Sequence, residues 1–161
     1  MTATTKPIPE GFHAVTPHLV VRGAVEAIDY YKRAFGAVER FRMAGPDGKT
    51  IMHAELVIGD SIIFLCDEMP DMDCRSPAAL QGTPVSIHLY VDDADAAFSR
   101  AVSAGGRVTM PLQDMFWGDR FGEIEDPYGH RWSIASHVED VSPEEIERRG
   151  AEAFGGQAAH A

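Results

Sequence analysis

Displacing the sequence by 70 residues lays one stretch of the chain over another of the same design. VVRGAVEAIDYYKRAFGAV, residues 20–38, meets YVDDADAAFSRAVSAGGRV, residues 90–108, so that Val21 pairs with Val91, Ala24 with Ala94, Ala27 with Ala97, Ile28 with Phe98, Gly36 with Gly106 and Val38 with Val108. A repeat of this kind limits the fold more than any other feature. Each copy is one supersecondary unit, and the two copies must share a core.

Each copy opens on a β-type run, HAVTPHLVV or PVSIHLYV, whose alternating and β-branched residues suit a strand with one face on helices. A helix follows. Val25, Ile28, Tyr31 and Phe35 in the first copy, and Ala94, Ala97, Phe98, Ala101 and Val102 in the second, recur at steps of three and four and fall on one helical face. Gly36 and the Gly105-Gly106 pair are read as the helix stops. Three short strands then follow in each copy, at 38–44, 50–58 and 61–67 and at 107–112, 119–125 and 131–137, separated by Gly45-Pro46-Asp47-Gly48, Gly59-Asp60 and Asp126-Pro127-Tyr128-Gly129 turns.

The pattern predicts an α+β chain of tandem βαβββ units. Residues 1–13 read as a tether, 14–67 as the first module, 68–83 as a linker, 84–138 as the second module and 139–161 as a C-terminal helix and tail. Ser142-Pro143-Glu144-Glu145 has the form of a capping box and predicts a helix from 143 to 154, with Ile146 and Phe154 placed to dock it. The linker's Asp67, Glu68, Asp71 and Asp73 read as solvated acids, since they lack the glycine and closing glutamate of a calcium loop.

Partners are narrowed by charge. With 14 Lys and Arg against 25 Asp and Glu, a net −11, the surface repels nucleic acid and anionic lipid. Cys66 and Cys74 are too few for a secreted disulfide framework and wrongly spaced for zinc, so reduced thiols in a cytoplasmic protein are expected. No signal-like or membrane-spanning apolar run occurs, and the ends, including the final GGQAAHA, lack a periodic pattern.

The duplicated units, AIDYYKRAFGA after the first strand and IEDPYGHRWSI before the last together resemble the vicinal-oxygen-chelate superfamily of glyoxalases, bleomycin-resistance proteins and extradiol dioxygenases, over residues 14–138. FWGDRFGEIEDPYGHRW and HAELVIGDSIIFLCDE look most like its PhnB-like branch. The resemblance implies a cupped, eight-stranded mixed sheet, a homodimer and a small organic molecule inside the cup. In metal-dependent relatives, His, Gln and Glu at four strand positions hold a divalent ion. Carried onto this chain, those positions are Thr16, Ile63 or Phe64, Ser86 and Ser133. None supplies an imidazole or carboxylate, so no cofactor is expected and the function implied is metal-independent ligand binding.

Strand periodicity adds His18 beside Thr16 and His88 beside Ser86, provided the register puts them in the cup. Phe116, Trp117, Asp119, Arg120 and Phe121 form the most unusual local cluster, in which Trp117 and Arg120 are expected at the ligand's rim. Two alternatives remain open. His18, His53, Glu55 and His88 could form a displaced metal shell for a lyase, isomerase or dioxygenase. Alternatively the cup is filled by its own side chains, and the protein is a non-catalytic dimerisation or interaction module.

Overall fold

The computed structural model describes residues 5–155. The first module contains β1 (His18–Val21), α1 (Ala24–Phe35), β2 (Val38–Ala44), β3 (Ile51–Ile58) and β4 (Ser61–Asp67). A linker with a 3-10 turn at Pro70–Met72 and a short helix α2 (Pro77–Leu80) leads to β5 (Ser86–Tyr90), α3 (Ala94–Ser103), β6 (Arg107–Asp114), β7 (Asp119–Glu125) and β8 (Arg131–His137). Helix α4 (Pro143–Gly155) closes the described chain. Among the described residues no helix is long and apolar enough to cross a membrane. The GGQAAHA tail lies outside the described residues except for its first glycine.

The eight strands divide into two four-stranded mixed sheets of identical order, β1-β4-β3-β2 and β5-β8-β7-β6. In each, the first strand runs parallel to the last strand of its module and the remaining pairs are antiparallel. One face of each sheet is covered by helices. Leu19, Val21, Leu56, Ile63 and Leu65 of the first sheet, and Ile124, Trp132 and Ile134 of the second, join the buried faces of α1 and α3 in one core. The sequence's single core is therefore shared by both copies.

Helix α1 buries Ala24, Ala27, Ile28, Tyr30, Tyr31, Ala34 and Phe35, whereas Val25 is 38% exposed. The apolar stripe is centred on the Ala24, Ile28, Tyr31 and Phe35 line, and Val25 stands one residue, about 100°, away from Ala24. Gly36 ends the helix at φ 66, as expected. The second stop differs. Ala104 caps α3, Gly105 takes φ +129, and Gly106 is there for space, since a Cβ on it would lie 2.9 Å from the Ala101 carbonyl oxygen and 3.0 Å from the Tyr30 hydroxyl. That close approach lets Tyr30 Oη donate to the Ala101 carbonyl across the two helices at 3.2 Å.

Asp126 clamps the modules together. Its Oδ2 accepts from Tyr31 of α1 at 2.6 Å and from Trp132 Nε1 at 2.9 Å, while Oδ1 accepts the Tyr128 and His130 amides at 2.9 and 3.0 Å. Burial and the nearby carboxylate push the Tyr31 hydroxyl well above its ordinary range, so it stays a donor. His130 Nε2 donates to the Val20 carbonyl of β1 at 2.9 Å, and Phe35 packs on Trp132 with ring centroids 4.5 Å apart. The DPYGH turn thus joins the second module to the first.

Three segments depart from their simplest sequence reading. Asp67 and Glu68 are partly buried and engaged by the fold: Asp67 accepts the Gly23, Ala24 and Ile51 amides, and Glu68 accepts from Ser76 and Arg22. Asp71 and Asp73 do face solvent. Within the tether, Phe12 packs edge-on against Phe64 and lies beneath Arg40. In α4 only half of the capping box forms, with Ser142 Oγ accepting the Glu145 amide at 3.3 Å. The Glu145 carboxylate turns instead to Arg148 and Arg149, and Phe154 is 66% exposed at the edge of Phe116.

Candidate functional site: the open sheet faces

Register decides which side chains leave the helix-covered face. In the first sheet His18 lies opposite Phe64, Phe64 opposite Glu55, and Glu55 opposite Phe41. In the second, His88 lies opposite Ser133, Ser133 opposite Glu123, and Glu123 opposite Met110. Because directly opposed residues share a face, His18 and His88 both stand on the open faces, in equivalent rows of the repeat. Thr16 precedes β1, and Ser86 opens β5 opposite Arg131 rather than Ser133.

The second open face holds a built cluster. His88 Nδ1 and Ser133 Oγ are 2.7 Å apart, and Ser133 is buried. The His88 ring meets Tyr90 edge-on at 4.4 Å and stacks with Phe121 at 6.0 Å. Trp117 packs edge-on against Phe121 at 5.5 Å and against Phe116 at 5.0 Å. Asp119 fixes this wall from beneath: Oδ2 accepts from Tyr90 and Trp117 Nε1, each at 3.1 Å, and Oδ1 lies 2.9 Å from His137 Nδ1.

Burial opposes ionisation of Asp119, but hydrogen bonds from His137, Tyr90 and Trp117 outweigh it and hold its carboxyl below the usual range. The same contact, aided by Asp140 on the other ring nitrogen, raises His137 above the ordinary imidazole value. The stability from this contact is therefore fully present below the unfolded value near pH 6.5 and is lost as pH rises through the raised folded value. An NMR titration should place the His137 midpoint above 6.5, and Asp119→Asn should bring it down. An unmoved midpoint in that variant would sink the assignment.

Arg120 is not part of this wall. It pairs in register with Ser136 and Asp114, one step out of phase with Asp119 and Phe121. It donates to Asp95 of α3 at 2.5 and 2.7 Å and to Asp114 at 3.1 Å. The adjacent numbering hid this, because successive strand residues face opposite ways.

The first open face is chemically different. His53 Nε2 is 3.6 Å from Glu55, Arg40 is 3.8 Å from the same carboxylate, and His18 and His53 have ring centroids 6.3 Å apart. Partial burial, then the neighbouring His53, lower His18 below its ordinary value. His18, His53 and Glu55 thus share a face, while His88 belongs to the other sheet. Among the described residues no three His, Cys, Asp or Glu side chains are placed to hold one ion. The residues onto which the resemblance carries a metal site, Thr16, Ile63 or Phe64, Ser86 and Ser133, offer hydroxyls and an apolar group, a donor set that does not fit a divalent ion.

A cleft of about 620 Å³ runs beside β5, lined by Ile63, Ile87, His88, Leu89, Tyr90 and Trp132 among others. Its size is that of a small-molecule site. Tyr90, His137 and Glu123 are the residues that sequence reasoning did not select, and Asp119 was singled out only as a member of the aromatic cluster, with no role of its own. The Asp119–Arg120–Phe121 alternation was visible, but the partners of Asp119 lie 29 and 18 residues away at Tyr90 and His137.

The model of the Glyoxalase/Bleomycin resistance protein/Dioxygenase superfamily matches residues 11–134. An uncharacterised protein of Mycobacterium tuberculosis is 49% identical over 137 residues, covering 83% of this chain and 80% of that protein. Among solved structures, a gene product of Arabidopsis thaliana is 28% identical with a TM-score of 0.62, covering 77% of this chain and 98% of its own. TioX from Micromonospora sp. ML1 is 27% identical with a TM-score of 0.60, over 81% and 100% of the two chains. A PhnB protein from Bacillus cereus, 20% identical with a TM-score of 0.57 over 77% and 99%, shares the fold.

Proposed function

Because the chain belongs to the glyoxalase/bleomycin resistance protein/dioxygenase superfamily, we propose that it is a metal-independent, homodimeric binder of a small organic molecule, acting by sequestration. The observation that carries this reading is the second open face. There Tyr90 and Trp117, both hydrogen-bonded to the buried Asp119 carboxylate, form an aromatic wall with Phe121 beside a His88–Ser133 pair, and His88 and Tyr90 also border the cleft of about 620 Å³ that runs along the edge of β5. Such a surface offers flat apolar contact with a few fixed polar groups, which is what ligand pockets use.

Within this reading His88 supplies a hydrogen bond through the ring nitrogen that Ser133 leaves free, Trp117 covers the ligand's flat side, and Thr16, His18 and Ser86 line the neighbouring strand ends. Ser133 is buried under His88, so it orients the imidazole rather than attacking a substrate. Dimerisation is supported by the apolar edge of the first sheet, where Val38, Phe41 and Met43 are 64%, 49% and 47% exposed, since a lone surface seldom leaves so many large apolar groups together.

Elemental analysis of untagged protein purified without chelators tests the reading. We expect no stoichiometric transition metal, no rise in Tm with added nickel, zinc, manganese or iron, and a dimeric mass by light scattering. About one tightly held metal per chain would overturn it in favour of a lyase, isomerase or dioxygenase centred on His18, His53 and Glu55, which share one face with His53 and Glu55 3.6 Å apart. Once a ligand is in hand, Trp117→Ala should weaken binding by roughly 10- to 100-fold, as loss of a central aromatic anchor does. An unchanged Kd by calorimetry would remove Trp117 from the site.

A further inference from the structure

We propose that Cys66 and Cys74 are a reversible dithiol–disulfide pair, a modification site at the end of β4 whose oxidant is a low-molecular-weight disulfide. The two Sγ atoms are 3.7 Å apart. The backbone already holds them there, because Met69 and Cys74 form an antiparallel bridge in which the Met69 amide donates to the Cys74 carbonyl at 2.7 Å and the Cys74 amide to the Met69 carbonyl at 3.1 Å. Asp73 turns the chain back at φ 56, so Cys74 returns over the strand it left. Bond formation needs the two sulfurs to close from this contact to about 2.05 Å. A shared metal is not the alternative, since no third His, Cys, Asp or Glu joins the pair among the described residues.

The two sulfurs have different surroundings, and that fixes the order of events. Cys66 is buried, and burial together with the Cys74 contact pushes its thiol up to about 12. Cys74 is half-buried in the linker and reachable from solvent. Its thiolate attacks one sulfur of a small disulfide, forming a Cys74 mixed disulfide and expelling one thiolate, which takes up the proton Cys74 lost. Cys66 then gives up its proton and attacks Cys74 Sγ. The Cys66–Cys74 bond forms, the mixed disulfide breaks, and a second small thiol leaves with that proton. Two electrons pass from the cysteines to the small disulfide, which departs as two thiols.

The crosslink would tie the linker to the strand that precedes Asp67, the residue accepting the Gly23 and Ala24 amides at the start of α1. It also acts on Cys66, which pairs in register with Val20 of β1, two residues beyond His18. Oxidation therefore stiffens the edge of the first open face. Closing so short a loop should raise Tm by a few degrees.

The full-length protein should be equilibrated in mixtures of reduced and oxidised glutathione, acid-quenched, alkylated and mapped by peptide mass. We expect both thiols to be lost together into one intrachain Cys66–Cys74 peptide, with return of both on dithiothreitol. Cys66→Ser should stop at a stable glutathione adduct on Cys74, and Cys74→Ser should leave Cys66 unmodified over the same time. Two free thiols throughout, a persistent glutathione adduct in the unmutated protein, or a disulfide between chains would each overturn the proposal. The map of the unmutated protein decides alone should either variant fail to fold.

Discussion

Asp126→Ala is expected to lower the unfolding free energy by about 3–5 kcal/mol, more than any substitution on the open faces. The carboxylate is 3% exposed and serves four donors: the Tyr31 hydroxyl, the Trp132 indole and the Tyr128 and His130 amides. Tyr31 and Trp132 are themselves buried, at 0% and 1% exposed, so neither donor finds water when Asp126 is removed. An unsatisfied buried donor costs about 1–3 kcal/mol, and total domain stability is only about 5–15 kcal/mol. Asp126→Asn keeps an acceptor oxygen but sets an amide group against one of the donors, so about half the loss is expected. Tyr31→Phe removes one donor with its partner still served by three others, and about 1 kcal/mol is expected. Urea melts with an unchanged m-value would read these losses from the midpoint. Equal midpoints for Asp126→Ala and the unmutated protein would mean that the modules are held by apolar packing alone.

Gly118→Ala is the second large effect, at about 3 kcal/mol, and it couples the fold to the candidate site. Gly118 has φ +100, which a side chain adopts with strain of about 1 kcal/mol or more. A Cβ there would overlap the Glu139 carbonyl oxygen. The chain after β8 would have to move away, yet the Val138 and Glu139 amides both donate to the Gly118 carbonyl, at 2.9 and 3.0 Å. Trp117 and Asp119 flank this point, so the displacement should also disturb the near-ultraviolet circular dichroism of Trp117 and lower the His137 titration midpoint. Gly48→Ala is the control: φ is +68, but nothing lies within 4 Å of the added carbon, so only the conformational cost of about 1 kcal/mol is expected. Equal losses at the two glycines would show that the Glu139 contact yields without cost.

Much of the fold was legible because its signals are local. The helix of the first copy could be read from Ile28, Tyr31 and Phe35, and its end from Gly36, since each depends on neighbours within a turn or two. The 70-residue repeat then required two modules of one topology, and the observed strand orders match in both. Errors arose where a local signal competes with a distant partner. Asp67 looks like one more linker acid, but three amides from α1 and β3 converge on it. Gly106 looks like a helix stop, but the Tyr30 hydroxyl and the Ala101 carbonyl leave no room for a side chain.

The candidate site divides in the same way. By itself the sequence determined that Thr16, Ser86, Ser133 and Ile63 or Phe64, the residues onto which the resemblance carries the relatives' metal positions, bring hydroxyl and apolar groups rather than imidazole or carboxylate, because ligand chemistry belongs to the residue type. It also drew attention to Trp117 and Phe121 by their clustering. Only the tertiary structure decided the register that places His18 and His88 on the open faces, turns Arg120 toward Asp95, and brings Tyr90, Trp117 and His137 onto the one carboxylate of Asp119. A strand's two faces exchange with a shift of one residue, and pairing between strands far apart in sequence sets that shift.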